Sequence, residues 1–461
     1  MSVHGARREG REAGLVERIR VRFEGDGAGT GELAWGQQQV WQAMKELGSS
    51  MAMGGVVPVL DGRTERDFAE ELRFFMSRYG GMRALLRFGP AGSGEVTQEV
   101  FGSGEATLEV HDAAPSEDPA AVAADLLAAW RARLFDYANE WPIRMAVVRA
   151  AGAVTHVVVL VCHIATDGAG LATMIRELGE RDPATGRPAA PHAGMQPLDL
   201  AATQASRAAQ RQSDNALRYW EGQLRTMPPR RFTSHASRGE PRFRRVVWQS
   251  RALHLAADRV AAALGTDPGS VLLAAFAVAF GRVTGGSPFV TQVIVGNRFR
   301  PGLADLVSPL AQNGLVVIDV AGATAAEAVE RARQASMSAS KYAYYAPGPR
   351  AALIERVSRE RGEPIALGVL WNDRRGNVPR AAAPDELPEA SRVIDEQVLP
   401  FFNEELMLNV DDVPDTTQIT TEIDTWSLPI EDLHALLGEM ETFTVAAARE
   451  VAGTAATAPA G

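Results

Sequence analysis

The chain carries a single cysteine in 461 residues, which excludes an internal disulfide and any metal site built from several thiolates. Lysine is almost absent, and arginine supplies nearly all of the 47 basic residues. Acidic residues number 57 and the formal net charge is −10. A general binder of nucleic acid or of anionic membrane needs a positive surface to displace counterions, so the charge argues against both as partners. No apolar run reaches the roughly 18 residues of a membrane-spanning helix. The first 14 residues mix Arg7, Arg8 and Arg11 with Glu9 and Glu12 around no apolar core, which reads as a loose tail rather than a secretory signal. A cytoplasmic protein is expected.

What is present is ordinary for a globular chain: 46% hydrophobic and 23% charged residues, at a length that suits two domains. No short repeat of solenoid type occurs. In the first half, Thr64-Glu65-Arg66-Asp67 has capping-box form, and Phe68, Leu72, Phe75, Met76 and Tyr79 follow at helical spacing up to Gly80. Asp118-Pro119 opens a second helix running through Trp130 and Phe135. His156 to Val161 is β-branched and apolar on both faces, the pattern of a buried central strand. A helix follows Gly168 through Leu178. Arg181 to Pro197, rich in Pro, Ala and Gly, is the best linker candidate, and beyond it a polar helix ends near Tyr219-Trp220. Further on, a helix is expected at Val271–Val283, strands at Phe289–Val295, Leu315–Val320, Ile365–Trp371, Leu406–Val410 and Gln418–Ile423, and a last helix at Glu431–Val451. The order predicts an α/β (α+β) protein of two lobes.

The chemistry concentrates in Cys162-His163-Ile164-Ala165-Thr166-Asp167-Gly168. The strand delivers His163 where the chain leaves the sheet, and a strand end fixes the backbone while the side chain points outward. A neutral imidazole there takes a proton from an amine or hydroxyl attacking a thioester. Asp167, four residues on, is read as holding the loop through an ion pair, and the N-terminus of the following helix offers N–H groups to a developing oxyanion. On these residues alone the alternative stays open, that the histidine is structural and the thiol a small buried hydrophobe.

The segment resembles the HHxxxDG motif of nonribosomal peptide synthetase condensation domains and related acyltransferases. Other matches follow in that family's order. Ala34 to Trp41 is similar to the opening SxAQxRLW motif, kept at Gln37 and Trp41. Arg78 through Arg83 loosely resembles RHExLRT, and Pro142-Ile143-Arg144 fits the pattern ahead of the catalytic loop. Asp199-Leu200-Ala201 with Tyr219-Trp220 is similar to YxDYA…YW. Gly296-Asn297-Arg298, with Leu306-Val307 and Asn313-Gly314-Leu315, resembles GRP…MVGxFVNTLPL. Asn372 ends a strand where the family has its FNY-like segment.

The resemblance spans about Val16 to Val451. It implies two chloramphenicol-acetyltransferase-like lobes forming a V, with an active-site tunnel at their interface. Residues 1–15 would be a flexible tail, 16–180 the first lobe, 181–198 the linker, 199–452 the second lobe and 453–461 a disordered tail. His163 would be the catalytic base, Asp167 its structural partner paired with Arg298 across the lobe interface, and Gly168 a source of backbone room and an N–H near the reacting carbonyl. Cys162 supports the loop; Asn313, Trp371 and Asn372 are candidates for the tunnel lining. Trp41 and Trp220 are assigned to core packing.

Three positions depart from the family's pattern: Cys162 replaces the motif's first histidine, Gln39 stands where arginine is usual, and Gly80-Gly81 interrupts the second motif. With no carrier-type serine motif and no adenylation signature, both substrates would arrive in trans. The donor would be an acyl or aminoacyl thioester on the phosphopantetheine arm of a carrier protein or coenzyme A. The acceptor would be a small-molecule amine or alcohol, or a carrier-bound group. No resident cofactor and no metal is expected. A second reading is a catalytically silent module that recruits a carrier protein or a tailoring enzyme. A third, epimerisation, would use Glu404 or Glu405 as an additional acid, against their plainer reading as a solvated turn before a strand. No DFGWG-like segment is present, which argues against a plant-type acyltransferase.

Overall fold

A computed structural model describes residues 15–90, 92–182, 185–232, 239–376 and 391–457; the expected tail through residue 14 and the final four residues of the chain lie outside them. The chain divides into two compact units, Met1–Ala209 with Gly296–Ala311, and Gln210–Val295 with Gln312–Gly461.

The first unit contains, in chain order, β1 (Leu15–Glu24), β2 (Gly29–Glu32), α1 (Trp35–Leu47), β3 (Met53–Pro58), α2 (Glu65–Arg78), β4 (Ala84–Phe88), β5 (Val96–Val100), β6 (Ser103–Asp112), α3 (Pro119–Ala132), β7 (Ile143–Ala150), β8 (Ala153–Val161), α4 (Gly168–Gly179) and α5 (Pro197–Gln204). Helix α6 (Arg207–Thr226) starts at the unit boundary. The second unit continues with β9 (Phe243–Ser250), α7 (Arg251–Leu264), α8 (Pro268–Thr284), β10 (Phe289–Val295), β11 (Gln312–Ile318), α9 (Ala325–Lys341), α10 (Pro347–Arg361), β12 (Val369–Asp373), β13 (Ser391–Val398), β14 (Leu406–Val413), β15 (Thr416–Asp424) and α11 (Ile430–Thr457).

In the first unit a five-stranded sheet runs in the order β1-β6-β7-β8-β3, with β6 and β7 parallel. Alternation along β7 and β8 sends their side chains into two separate cores. Met145, Val147, Val157 and Val161 pack with Phe68, Leu72 and Met76 of α2 and Met174 of α4. Ala146, Val148, Val158 and Leu160 pack with Leu126, Leu127 and Trp130 of α3. Strand β8 is therefore covered on both faces, which is what its unbroken apolar run requires. Strands β2, β5 and β4 form a smaller sheet.

The second unit holds a seven-stranded sheet, β11-β10-β12-β14-β15-β9-β13. One core joins its strands to α7, α8 and α11, through residues such as Leu272, Phe276 and Leu437. Trp220, Leu224, Leu353 and Val357 of α6 and α10 form another with Val290 and Leu315. Among the described residues no single helix is long and apolar enough to cross a membrane; the bent pair α7–α8, at 112°, is long and apolar enough only when taken together, and most of its apolar residues are core residues.

Local signals placed most of the anticipated elements. Helix α2 begins at Thr64, whose backbone N–H donates to Asp67 at 2.7 Å. Asp118 caps α3 through Ala120 N–H at 3.1 Å. That helix stops at Ala132, short of the expected Phe135, because the buried guanidinium of Arg144 takes the carbonyls of Trp130, Arg133 and Leu134 and lies 3.9 Å over the Phe135 ring. Strands expected at 315–320 and 365–371 are displaced to Gln312–Ile318 and Val369–Asp373. The final helix runs on to Thr457, into the segment expected to be a disordered tail. The linear division into lobes also differs from the units in space. Gly296–Ala311 follows a second-unit strand in sequence, but polar bonds from Arg298, Asp305 and Leu310 fasten it to the first unit.

The plainer reading of Glu405 also changes. It is in the turn before β14, yet its Oε2 is buried without a hydrogen-bond partner. Burial raises its carboxyl above the usual carboxylate range, with Arg231 opposing. A carboxyl whose folded pKa is raised favours the fold below its unfolded value near 4.5 and loses that contribution as pH climbs through the folded value. Glu405→Gln should therefore stabilise the protein more at pH 8 than at pH 4.5, read as the difference in melting temperature from wild type at each pH.

Candidate active site

Strand β8 ends with Val161 hydrogen-bonded in register with Ile143 of β7 and Met53 of β3. The next residue, Cys162, is still anchored, its N–H donating to Pro142 O at 2.8 Å. The chain then turns, with Ala165 N–H donating to Cys162 O at 3.1 Å, and enters α4 at Gly168.

His163 is half-buried in this turn. Its backbone N–H donates to Ser50 O at 3.3 Å, and its Nδ1 lies 2.9 Å from Thr166 O. A carbonyl only accepts, so Nδ1 carries the proton in this bond and Nε2 of the neutral ring keeps its lone pair.

Asp167 is buried and caps α4, its Oδ1 accepting from Gly170 N–H at 2.9 Å. The same oxygen accepts from Arg298 Nη2 at 2.5 Å, while Oδ2 accepts from Leu310 N–H at 3.1 Å. Arg298 Nη2 also donates to Leu306 O at 3.1 Å. A carboxylate at a helix N-terminus is favoured by the local dipole, and a guanidinium adds a charge-assisted bond. Both partners belong to the first unit. The expectation that they pair across two lobes is corrected: the bond holds the returning segment 296–311 to the start of α4.

The surrounding protein makes different demands on the glycines near the turn. A Cβ on Gly168 would meet no atom within 4 Å, so the protein's own packing does not demand glycine there. A Cβ on Gly170 would sit 2.3 Å from Thr166 Oγ1, and one on Gly81 would sit 2.8 Å from Ala165 O. Gly81, of the Gly80-Gly81 pair that interrupts the second motif, thus lets the chain approach the histidine turn closely.

Further residues of the sequence motifs bond to the turn or to the helices around it. Gln37 Oε1 accepts from Ala34 N–H at 2.9 Å, and its Nε2 donates to Ile164 O at 3.3 Å. Buried Arg83 donates to the carbonyls of Met76 and Ser77. Arg78 Nε donates to Glu177 of α4 at 2.5 Å, and Tyr79 donates to the same oxygen at 2.8 Å. Sequence reasoning missed Ser50, Tyr137 and the Leu310 N–H; they come from separate loops and carry no local signature.

Cys162 is wholly buried, and burial pushes its thiol up to about 12. It is a protonated S–H, not a thiolate nucleophile. The three tunnel-lining candidates lie in the second unit. Trp371 is corrected: it is buried in the core and stacked on Phe276 at 5.4 Å, so packing accounts for it. Asn372 and Asn313 are half-buried, donating to Asn409 Oδ1 at 2.9 Å and Gln292 Oε1 at 3.2 Å respectively.

The condensation-domain family model matches residues 33–361, and the chain belongs to the condensation-domain family. Solved structures share its fold at low identity. The condensation domain of chain release from the enacyloxin polyketide synthase is 20% identical with a TM-score of 0.68, over 91% of this chain and 83% of that one. SgcC5 from Streptomyces globisporus is 17% identical with a TM-score of 0.66, over 91% and 99%. The X-domain from teicoplanin biosynthesis, in its complex with OxyB, is 18% identical with a TM-score of 0.66, over 92% and 95%. No curated protein matches the sequence.

Removing one member of a buried ion pair strands the other charge, at a cost of about 3 kcal/mol or more. Asp167→Ala and Arg298→Ala should each lower unfolding free energy by that order in denaturant titrations. Asp167→Asn, which retains a cap acceptor for Gly170, should lose less. Equal stability of all three variants and wild type would remove the pair from its structural role.

Proposed function

We propose that this protein is an acyltransferase of the condensation type, forming an amide or ester in natural-product biosynthesis. The donor is an acyl or aminoacyl group on a phosphopantetheinyl thioester, carried by a carrier protein in trans or by coenzyme A. The acceptor is a small-molecule or carrier-bound amine or alcohol. The observation that carries this reading is the bond from His163 Nδ1–H to Thr166 O, which leaves Nε2 as a base.

In the proposed reaction Nε2 takes the proton of the acceptor N–H or O–H as that atom attacks the thioester carbonyl carbon. The carbon–oxygen π electrons move onto oxygen, giving a tetrahedral oxyanion near the start of α4, where the helix N-terminus favours negative charge. Collapse re-forms the carbonyl and breaks the carbon–sulfur bond, and the departing thiolate takes the proton from Nε2. Phosphopantetheine enters and leaves as substrate. Asp167 and Arg298 keep the loop in place without touching the reacting atoms.

One observation favours a second reading. Cys162 departs from the family's histidine pair, and a protein of this fold, the teicoplanin X-domain, has been solved in complex with another protein, OxyB. On that reading the chain recruits a carrier protein or tailoring enzyme and performs no transfer.

Intact-mass detection of acyl transfer distinguishes the two. Acyl-pantetheine, acyl-coenzyme A and loaded carrier proteins serve as donors to a panel of amines and alcohols. His163→Ala is expected to reduce turnover by about 10²–10⁴ while retaining the fold. Undiminished turnover in that variant would refute the general-base role. Silence of the wild type across the panel, with a carrier or partner enzyme still bound, would favour recruitment.

A further inference from the structure

Ser50 is buried in the loop between α1 and β3, and the next residue, Met51, has φ of 45°. A non-glycine residue in that left-handed region is uncommon and persists where its surroundings hold it. The Ser50 carbonyl oxygen accepts from two successive residues of the catalytic turn, His163 N–H at 3.3 Å and Cys162 Sγ–H at 3.7 Å. Its side chain faces a different part of the chain: Oγ accepts from Phe135 N–H at 3.0 Å and shares a hydrogen bond of 2.9 Å with the Tyr137 hydroxyl. One residue thus ties the 135–137 loop to the backbone that carries the imidazole.

Tyr137 is itself fixed. Its ring meets Trp41 of α1 edge-on at 5.1 Å, and its carbonyl accepts from Leu86 N–H at 2.8 Å. The Cys162 thiol is a weak donor, and a long sulfur contact does little to stop the Ser50 peptide from rotating. The two bonds at Ser50 Oγ are the stronger restraint on that peptide, and rotation would release His163 N–H. Small displacements of a catalytic group cost rate without abolishing binding.

We propose that Ser50 and Tyr137 are positioning residues for His163, with Tyr137 holding Ser50 and Ser50 holding the histidine backbone. This rests on the acyl-transfer reading above. It gives Trp41 of the opening motif a place in the same chain of contacts, one step behind Tyr137.

Tyr137→Phe keeps the ring against Trp41 and removes only the hydroxyl. In the acyl-transfer assay it is expected to lower kcat about tenfold with KM nearly unchanged. Ser50→Ala should do the same or more, and Ser50→Thr, which keeps a hydroxyl, should recover most of the loss. A second readout needs no turnover: ¹⁵N spectra of histidine-labelled protein should give His163 a protonated Nδ1 and a bare Nε2 in wild type, and a mixture of tautomers in Tyr137→Phe. A lower melting temperature in Tyr137→Phe and Ser50→Ala, with kcat and the His163 spectrum unchanged, would overturn the proposal. If wild type transfers no acyl group, the general-base reading fails on its own, and the spectra decide the positioning: a changed His163 signal upholds it, and an unchanged one overturns it.

Discussion

Asp167 stands where the start of α4 meets the returning segment 296–311 of the first unit. Its two carboxylate oxygens accept from the backbone of α4, from the Arg298 guanidinium and from the backbone at Leu310. Gly296–Ala311 joins β10 to β11 in the second unit's sheet, so any chain of this order must be paid back for sending sixteen residues elsewhere. The bonds of Asp167 to Arg298 and Leu310, with Val307 packed in the first unit's core, hold that segment in place. Asp167 also starts the helix that ends the histidine turn, so the same residue sets where the turn stops. Apolar contacts alone would not set this geometry, because burial free energy is non-directional, whereas a capped and ion-paired carboxylate specifies both direction and register.

Beyond that anchor, the turn around His163 is held almost entirely by backbone carbonyls. Thr166 O orients the ring, Ser50 O takes the histidine N–H, and Pro142 O takes the cysteine N–H. Side chains reach the turn from outside, Gln37 to Ile164 O and Asp167 to Gly170. A site organised this way tolerates a change at position 162 more readily than one whose support passes through that side chain. The thiol there is buried and protonated, its contact to Ser50 O at 3.7 Å is long, and the shorter polar connections lie on the main chain.

Much of this was legible from the chain alone. The unbroken apolar run of β8, the cap at Asp118, the capping box at Thr64 and the ordered set of motifs pointed to an α/β protein of the condensation family. They pointed also to His163 at a strand end. The misplacements have physical causes. Helix α3 stops early because a distant arginine takes its last carbonyls. Trp371 follows a strand pattern compatible with either a lining or a core role, and only the Phe276 ring beside it decides. Glu405 looks like a solvated turn residue because Asn403 and Glu404 precede it, while its burial comes from elsewhere in the fold.

The sequence by itself determined which short segments become helix or strand and which residues carry the chemistry, because caps, alternation and motif spacing act over a few positions. Tertiary structure alone decided which unit owns Arg298, which nitrogen of His163 bears the proton, and that Ser50 and Gly81 lie against the turn. Arg298, Ser50 and Gly81 reach the turn from remote parts of the chain, and even the short bond from His163 to Thr166 O exists only once the backbone has folded to present both partners.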